Sequence, residues 1–415
     1  MNDNSKQNHL DWLLIVLIIG LSLFGTIVIY STQAYKQGTD WQQQLIIVLI
    51  GSIIMMRLSY FPYERLLQLH WWIYWFSNSL LVLVLFIGQT INGAQSWINI
   101  AGFNFQPSEL SKVALIISLA AILAQKDASH ISRLLPIALL VAVPWTLIML
   151  QPDLGTGLVF GAIALTMIYW ANASLGWILL ILSPLISAFL YNIVFPIWLV
   201  FLIGMIFIAW FTLPQAIRSL WALVTLVINY GAGQLGHILW DLLKPYQKAR
   251  LTLFLNPEQD PLGGGYHLIQ SKIAIGSGGL WGNGFLKGTQ TYLNFVPEQH
   301  TDFIFSAIGD QFGFVGCLII LVIYWLICWR LVLIALQARD NFGSLIAIGV
   351  LGMTAFQAIL NISMTIGLAP ITGIPLPLLS YGRSYLLSNF IAFGIVESVA
   401  NNRVVLPKPK RVKYR

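Results

Sequence analysis

Long apolar runs alternate with short polar stretches along almost the whole chain. Runs of about 20 residues match the hydrocarbon thickness of a bilayer. The runs are continuous and do not alternate as membrane β-strands do, so they predict helices, which satisfy their own backbone groups in lipid. Twelve helices are predicted, at residues 12–31, 43–58, 70–89, 108–125, 133–150, 155–171, 174–192, 196–213, 217–241, 302–330, 345–366 and 378–399. The sequence therefore predicts an all-α polytopic membrane protein.

Composition supports this fold class. The chain is 58% hydrophobic and only 9% charged, whereas soluble domains carry about 25% charged residues. A water-soluble globule is therefore excluded. The two cysteines, Cys317 and Cys328, lie in one apolar run, so we interpret them as packing residues rather than as a disulfide framework.

The distribution of basic residues predicts an orientation. Cytoplasmic loops of membrane proteins are enriched in lysine and arginine. Placing the N-terminus in the cytoplasm puts most short-loop basic residues and the tail at 401–415 on that side. Because twelve is even, both termini are then cytoplasmic. The whole chain, 1–415, is interpreted as one integral membrane domain.

The same topology places residues 242–301 outside as one large extracytoplasmic loop. Its basic residues oppose the charge rule, and an anionic substrate would explain them. Nine glycines lie between Gly263 and Gly288, interleaved with apolar and aromatic residues. A flexible connector is the alternative interpretation. We favour a segment that folds back onto the membrane surface, with a short amphipathic helix near 265–275.

Several ionisable residues lie near predicted membrane boundaries, where charge is a functional hypothesis by default. They are Glu109 and Lys112 in "QPSELSK", Asp153 in "QPDLGTG", and Glu298, His300 and Asp302 in "PEQHTDF". Two of these groups have a structural alternative. Glu109 and Lys112 are spaced as an i,i+3 pair at a helix start, and Asp153 is placed as a helix cap. His300 and Asp302 alone would make a weak metal site.

Five motifs occur together in the chain: "FQPSELSK", "QPDLGTG", "DPLGGGYHLIQSKIAIGSGGLWGNGFLKGTQ", "FVPEQHTDFIFSAIGDQFGFVG" and "GIPLPLLSYGRS". In this order and over nearly the whole chain, they resemble the RodA/FtsW proteins, the SEDS family. The loop motif is more similar to RodA, the elongation member. Family members usually have ten transmembrane helices, so the resemblance implies two extra helices between about 174 and 241.

The resemblance implies a peptidoglycan glycosyltransferase that polymerises lipid II outside the cytoplasmic membrane during cell elongation. It also implies a class B penicillin-binding protein as transpeptidase partner, the elongation machinery, and a divalent cation, Mg²⁺ or Mn²⁺. In the family motif the acid is the proposed catalytic residue, which here is Asp260 as general base. A lipid substrate further requires a groove that opens sideways between helices. The candidate substrate-binding residues are Glu109, Lys112, Lys248, Arg250, Gln270, Lys272, Glu298, His300, Asp302, Ser380 and Arg383.

Two positions depart from the family pattern. Ser96 in "GAQSWI" stands where most relatives have arginine, and Arg383 in "SYGRS" stands where most have glycine. Arg383 is thus a candidate to replace the missing basic contact. The departures also keep two alternatives open: a flippase or transporter for lipid-linked precursors, and a non-catalytic activator of the transpeptidase.

Overall fold

A computed structural model describes residues 10–34, 38–91, 94–100, 102–125, 128, 131–213, 218–242, 248, 254, 257–261, 265–293 and 295–403. Arg250 and the end of the basic tail, from 404 onward, lie outside the described residues. Twelve long helices span the described chain. They are α1 (Trp12–Gln33), α2 (Asp40–Ser59), α3 (Glu64–Ile87), α4 (Pro107–Gln125), α5 (Ile131–Leu150), α6 (Leu154–Trp170), α7 (Leu175–Ile193), α8 (Phe195–Thr212), α9 (Arg218–Leu242), α12 (Ile304–Gln337), α13 (Asn341–Ile366) and α14 (Arg383–Asn401).

All twelve predicted helices are confirmed, most within a few residues of their predicted bounds. Eight of the helices in the described residues are long and apolar enough to cross a membrane, and two shorter apolar helices join them. The short amphipathic helix predicted near 265–275 is also confirmed, as α10 (Tyr266–Ser277). A 3₁₀ turn (Pro257–Gln259) precedes α10, and α11 (Thr289–Tyr292) follows it.

The bundle has two ends, which we call the loop face and the terminal face. The loop face is where α1 and α3 end, where α4, α6, α12 and α14 begin, and where α10 lies. At the terminal face, Asp11 caps α1, and Arg330 donates through Nη2 to its carboxylate. The main-chain N–H of Asp11 also donates to Glu397 Oε2 at 3.0 Å. This buried cluster ties α1, α12 and α14 together.

The core is built around α4 and α14, whose side chains are mostly buried. Helix α14 packs on α2, and α13 packs on α4, α6 and α12. Small and apolar side chains fill these contacts, as expected where helices associate by close packing in lipid. The two most buried helices therefore both begin at the loop face and bring their N-terminal residues together there.

Helices α7, α8 and α9 form a separate unit that touches the rest of the bundle through α6. A buried polar network holds it together. Asn229 donates to Ser183 Oγ at 2.9 Å, Ser187 donates to the Asn229 carbonyl at 2.6 Å, and Trp198 donates to Ser187 Oγ at 2.8 Å. This unit coincides with the region where the sequence predicted two extra helices.

A small antiparallel sheet covers the loop face beside α3 and α4, and the sequence analysis did not predict it. Its strands β1 (Gln89–Ile91), β2 (Ala94–Ile100) and β3 (Phe103–Phe105) follow in the order β1-β2-β3. Two of the strands have only three residues, too short for a period-2 pattern to be recognised.

Helix α12 is interrupted at Gly313, where φ is +63° and ψ is −161°. Backbone of this kind is accessible almost only to glycine. In a continuous helix, Phe314 and Val315 would donate to the carbonyls of Asp310 and Gln311. Four main-chain bonds to the long loop replace those two: Phe314 to Gly279 at 2.9 Å, Val315 to Leu280 at 3.1 Å, Asn283 to Asp310 at 3.0 Å and Gly284 to Gln311 at 3.0 Å. The glycine-rich loop is therefore integrated into the helix and is not a free connector.

Candidate active site

Asp260 lies at the loop face, in the turn between the 3₁₀ segment and α10, and it is exposed. Its main chain is bonded on both sides, because Gly265 N–H donates to the Asp260 carbonyl at 3.0 Å and Asp260 N–H donates to the Pro257 carbonyl at 3.4 Å. Asp260 is thus exposed a few residues before α10 begins at Tyr266.

A buried hydroxyl holds the middle of helix α10 to the bundle. Ser271 Oγ lies 2.6 Å from both Ser306 Oγ on α12 and the Thr365 carbonyl on α13. The neighbouring candidates Gln270 and Lys272 lie on the same helix; Lys272 is exposed and Gln270 is partly buried. The aliphatic chain of Lys272 runs beside Gly367, where the loop between α13 and α14 begins. The helix following Asp260 is therefore anchored, with an exposed cation near its middle.

The "PEQHTDF" motif forms the turn that leads into α12. Glu298 has a positive φ of 50°, and its carboxylate and carbonyl accept from Thr301 Oγ1 at 3.1 and 3.2 Å. His300 Nε2 lies 3.8 Å from the Asp40 carboxylate. The Asp302 carbonyl accepts from Asn361 at 2.8 Å, which holds the turn to α13. These three candidates share one turn and point to different neighbours.

Ser380 joins this turn to the loop before α14. Its hydroxyl donates to the Thr301 carbonyl at 2.6 Å, and its carbonyl accepts from Gln44 at 3.2 Å. The adjacent Tyr381 stacks obliquely on the His300 ring, and its hydroxyl donates to Gln43 at 2.9 Å. Burial, with the nearby Asp40 carboxylate, raises the pKa of Tyr381 to about 12. This hydroxyl therefore keeps its proton at neutral pH.

Glu109 and Lys112 form a buried ion pair in the first turns of α4. Lys112 Nζ donates to both carboxylate oxygens of Glu109 at 2.8 Å. The Lys112 side chain is 2% exposed and the Glu109 side chain is 5% exposed. Lys112 also lies 5.3 Å from the centre of the Tyr385 ring, and Ser388 donates to Glu109 at 3.4 Å. The i,i+3 pairing anticipated from the sequence is present, and it links α4 to α14.

Arg383 begins α14 and faces the sheet. Its Nη2 donates to the Gly102 carbonyl at 3.1 Å, and its guanidinium lies 5.1 Å from the centre of the Phe103 ring. Ser96, the other departure, is buried in β2, and its hydroxyl makes no hydrogen bond. Arg383 thus reaches the same extramembrane segment from which the usual arginine is missing.

Of the remaining candidates, Asp153 lies close to the start of α4, where its Oδ2 accepts from Gln106 Nε2 at 3.4 Å. Lys248 lies beyond α9, 3.9 Å from Asp241, and Arg250 is outside the described residues. Asp153 caps α6 by accepting from Thr156 N–H at 3.0 Å, as its alternative interpretation predicted. Cys317 and Cys328 are free thiols. Within the described part of the chain, no three His, Cys, Asp or Glu side chains converge as metal ligands would.

Sequence reasoning missed Asp310, which is completely buried in α12. Its carboxylate accepts from Asn283 Nδ2, Ser277 Oγ and the main-chain and side-chain donors of Thr291. An acid within an apolar helix was the signal that could have revealed it. It also missed Asp40 and Tyr381, which surround His300, because partners distant in sequence are not visible in motif spacing.

Comparisons with known proteins agree with this geometry. The family model described as "Cell cycle protein", covering FtsW, RodA and SpoVE, matches residues 10–202 and 196–404. Peptidoglycan glycosyltransferase RodA from Treponema pallidum is 35% identical, over 94% of this chain and 97% of the relative. Peptidoglycan glycosyltransferase MrdB from Escherichia coli is 34% identical, over 98% of this chain and 100% of the relative. Stage V sporulation protein E from Bacillus subtilis is 34% identical, over 95% of this chain and 98% of the relative.

Solved structures show the same fold. A chain from a peptidoglycan synthase complex, described in terms of coordinated polymerization and crosslinking, aligns with a TM-score of 0.71 and 28% identity. That alignment covers 95% of this chain and 98% of the other. Rod shape determining protein RodA from Thermus thermophilus aligns with a TM-score of 0.63 at 24% identity, over 95% and 97%, and supports the fold alone. The resemblance drawn from the motifs is therefore confirmed, and the chain belongs to the FtsW/RodA/SpoVE family of polytopic membrane proteins.

Proposed function

We propose that this protein is a peptidoglycan glycosyltransferase that polymerises lipid II into glycan strands during cell elongation. The observation that carries the proposal is the match to named peptidoglycan glycosyltransferases, at 34–35% identity over nearly the whole of both chains. The motifs that carry the resemblance lie together at the loop face. The proposal therefore rests on full-length similarity and on the placement of the motif residues.

Asp260 is the proposed general base. The acceptor sugar's 4-hydroxyl is a poor nucleophile, and a carboxylate within hydrogen-bond reach can remove its proton as the oxygen attacks the donor's anomeric carbon. A new glycosidic C–O bond forms, and the bond from that carbon to the pyrophosphate oxygen breaks. Undecaprenyl pyrophosphate leaves with the electron pair, and Asp260 holds the proton. The exposed position of Asp260, with its main chain bonded to Pro257 and Gly265, supports this role.

Basic side chains are proposed to stabilise the leaving pyrophosphate, where negative charge develops in the transition state. Lys272 is exposed at the loop face, and Arg383 is partly exposed there with its Nη2 on the Gly102 carbonyl. Lys112 is bound to Glu109 in a buried pair. Its proposed contribution is therefore to keep a positive charge beside the Glu109 carboxylate between α4 and α14. Lys248 and Arg250 remain proposed contacts in the long loop, and Gln270, Glu298, His300, Asp302 and Ser380 are proposed to position the sugars.

The lipid tail is proposed to lie in a lateral groove. A cavity of about 320 Å³ is bounded by α2, α3, α4 and α14, with an almost entirely apolar lining. Leu110 of this lining lies between Glu109 and Lys112 in the sequence, so the groove approaches the buried ion pair. The lining extends from Leu110, near the loop face, to Tyr63 and Ser398 at the terminal face. An apolar groove with one end near charged residues suits an amphipathic substrate with a polyprenyl tail and an anionic head. Helices α3 and α4 are the proposed tail-binding walls.

A divalent cation, Mg²⁺ or Mn²⁺, is part of the proposal, although the described side chains do not by themselves form a metal-binding cluster. Mg²⁺ commonly binds through one or two carboxylates together with substrate phosphates, so a protein cage is not required. When bound, the cation would neutralise pyrophosphate charge. We assign no ligands to it and derive no step through it.

The partner and orientation belong to the same proposal. We place the loop face outside the cytoplasmic membrane, with both termini in the cytoplasm, because Arg57, Arg330, Arg339 and Arg403 gather at the terminal face, as the positive-inside rule expects. A class B penicillin-binding protein is the proposed transpeptidase partner. The similarity to a chain of a peptidoglycan synthase complex supports that assignment.

The test uses purified full-length protein in nanodiscs with labelled lipid II and Mg²⁺ or Mn²⁺, with and without a class B penicillin-binding protein. We expect glycan polymer from the wild type and none from Asp260→Asn. The matched control is Glu258→Gln, an exposed acid two residues earlier in the 3₁₀ segment, which should retain polymerisation. Polymer at wild-type rate from Asp260→Asn would contradict the role of Asp260.

Two other outcomes would favour the alternative functions. Movement of labelled lipid II between leaflets without polymer would favour a flippase. Stimulation of the partner's transpeptidase without polymerisation, by wild type and Asp260→Asn alike, would favour a non-catalytic activator.

A further inference from the structure

Asp310 is a buried acid whose four hydrogen-bond donors all come from the glycine-rich loop. Its Oδ1 accepts from Asn283 Nδ2 at 2.9 Å and Ser277 Oγ at 3.1 Å. Its Oδ2 accepts from Thr291 N–H at 2.9 Å and Thr291 Oγ1 at 2.8 Å. An ionised carboxylate can accept at about four positions, whereas an amide oxygen can accept at only two. The donor set therefore matches a carboxylate and would leave an amide mismatched.

The same loop residues also complete the broken backbone of α12. We call residues 277–291 the clasp, because they carry all four donors to Asp310 and the main-chain partners of residues 310, 311, 314 and 315. Inside a membrane protein, interrupted helical backbone needs such partners. Side-chain and main-chain bonds thus lock one segment into one gap, and Asp310 contributes to both sets.

The clasp is packed tightly around the carboxylate. A Cβ atom at Gly288 would lie 2.5 Å from Asp310 Oδ2 and 3.0 Å from Gln311 Cγ. Gln311 extends the connection to α1 by donating from Nε2 to Ser31 Oγ at 2.8 Å. Gln299 donates to the Thr291 and Thr32 carbonyls at 3.3 and 3.4 Å. The clasp backbone at Gly288 therefore packs directly against the Asp310 carboxylate.

The clasp begins where α10 ends. Ser277 is the last residue of α10 and binds Asp310, while the turn carrying Asp260 precedes its first residue. The twelve residues of α10 correspond to a length of about 18 Å at 1.5 Å per residue. Asp310 is thus far from the chemistry proposed for Asp260, and it lies at the opposite end of the element that carries it.

We propose that Asp310 is a positioning residue, which locks the clasp into the break in α12 and thereby fixes the orientation of α10 and of Asp260. This inference rests on the proposed catalytic role of Asp260. Ser271 fixes the middle of α10, and Asp310 fixes its C-terminal end. With two anchors the helix cannot pivot about Ser271, so the turn before it keeps one position relative to the bundle.

The first measurement is hydrogen–deuterium exchange on substrate-free protein in nanodiscs. In Asp310→Asn we expect exchange across the clasp to accelerate at least tenfold, while exchange in α13 stays at the wild-type rate. The matched control is Asp340→Asn. Asp340 also accepts from a main-chain N–H and a side-chain hydroxyl, those of Gly343 and Tyr63, but it lies at the terminal face. The Asp340→Asn variant should therefore leave hydrogen–deuterium exchange in the clasp unchanged.

The second measurement is lipid II polymerisation well below the unfolding temperature. In Asp310→Asn we expect kcat to fall at least tenfold with KM changed less than threefold, because the proposed tail groove lies between other helices. Asp340→Asn should retain wild-type kcat. Asp310→Glu should not restore kcat, since an added methylene would displace the carboxylate from its place against the clasp backbone at Gly288. If Asp310 acted only on stability, kcat would fall in proportion to the loss of thermal stability in the Asp310 and Asp340 variants alike.

Removing donors from the clasp tests the proposal without altering the carboxylate. In Asn283→Ala and Thr291→Val we expect clasp exchange to increase severalfold, with smaller decreases in kcat than in Asp310→Asn. Wild-type clasp exchange in Asp310→Asn and in both donor variants would overturn the inference. So would equal acceleration in Asp340→Asn. Because exchange is measured without substrate, these results stand even if the wild type makes no polymer, an outcome that would refute the proposed function separately.

Discussion

The guanidinium of Arg383 donates to the main-chain carbonyl of Gly102, 3.1 Å away, and so joins the start of α14 to the turn between β2 and β3. It also lies over the Phe103 ring at 5.1 Å. Ser96 is buried in β2 of the same sheet. The two departures from the family pattern are therefore connected through one structural unit, with the basic group supplied by the helix and not by the sheet.

We expect Arg383→Gly to weaken donor handling while leaving the bundle folded. The cation–π contact with Phe103 contributes about 1 kcal/mol to stability, so the thermal unfolding midpoint should change little. Because the guanidinium is also proposed to stabilise the pyrophosphate, losing its charge should raise KM for lipid II severalfold, about 1 kcal/mol being a roughly fivefold change in an equilibrium constant. Steady-state polymerisation and thermal unfolding measure the two effects.

Arg383→Lys separates charge from geometry, because lysine keeps the charge but lacks the planar fork that binds and stacks. Recovery of KM in the lysine variant would indicate a contact with substrate charge. Failure to recover would indicate that Arg383 acts by holding the sheet. Unchanged kinetics in Arg383→Gly would remove the residue from the proposed site altogether.

The sequence predicted the helices well because each transmembrane helix is a local property of its own apolar run. It also placed Asp260 and α10 correctly in relation to each other, since they are adjacent in the chain. The sheet and the break at Gly313 were not predicted, because both depend on partners far away in sequence. Asp310 shows the difference: its acidic type is visible in the sequence, but its four donors lie 19 to 33 residues away and become neighbours only through the fold.

The buried pair of Glu109 and Lys112 gives a second prediction. Lys112→Met should destabilise the protein by about 3–5 kcal/mol, because it leaves a buried carboxylate without its cation. The double variant Glu109→Gln/Lys112→Met should recover much of that stability, since no uncompensated charge remains. Thermal unfolding of both variants in nanodiscs tests this. Equal loss in the single and the double variant would show that the charge pairing is not responsible.

At the terminal face, Arg330 is the cation beside Asp11, whose carboxylate is buried and whose N–H binds Glu397. Arg330→Leu should destabilise the bundle by at most about 3–5 kcal/mol, because it leaves the buried Asp11 carboxylate without its partly exposed cation. Arg339→Leu is the matched control on the same face. Its ion pair with Glu64 is exposed, with a separation of 3.9 Å, and such pairs contribute about 0–1 kcal/mol. Similar thermal unfolding midpoints for the two variants would refute the structural role of the Asp11 cluster.

The α7–α9 unit should be separable from catalysis, because it touches the bundle through α6 while its own polar network holds it together. Asn229→Leu removes the bond to Ser183, and interhelical hydrogen bonds in membranes contribute about 0.6 kcal/mol on average. We expect faster hydrogen–deuterium exchange in α7 and α9, with polymerisation within twofold of wild type. Ile228→Ala, on the neighbouring exposed position, is the control and should change neither. A large loss of polymerisation in Asn229→Leu alone would show that this unit is coupled to the loop face.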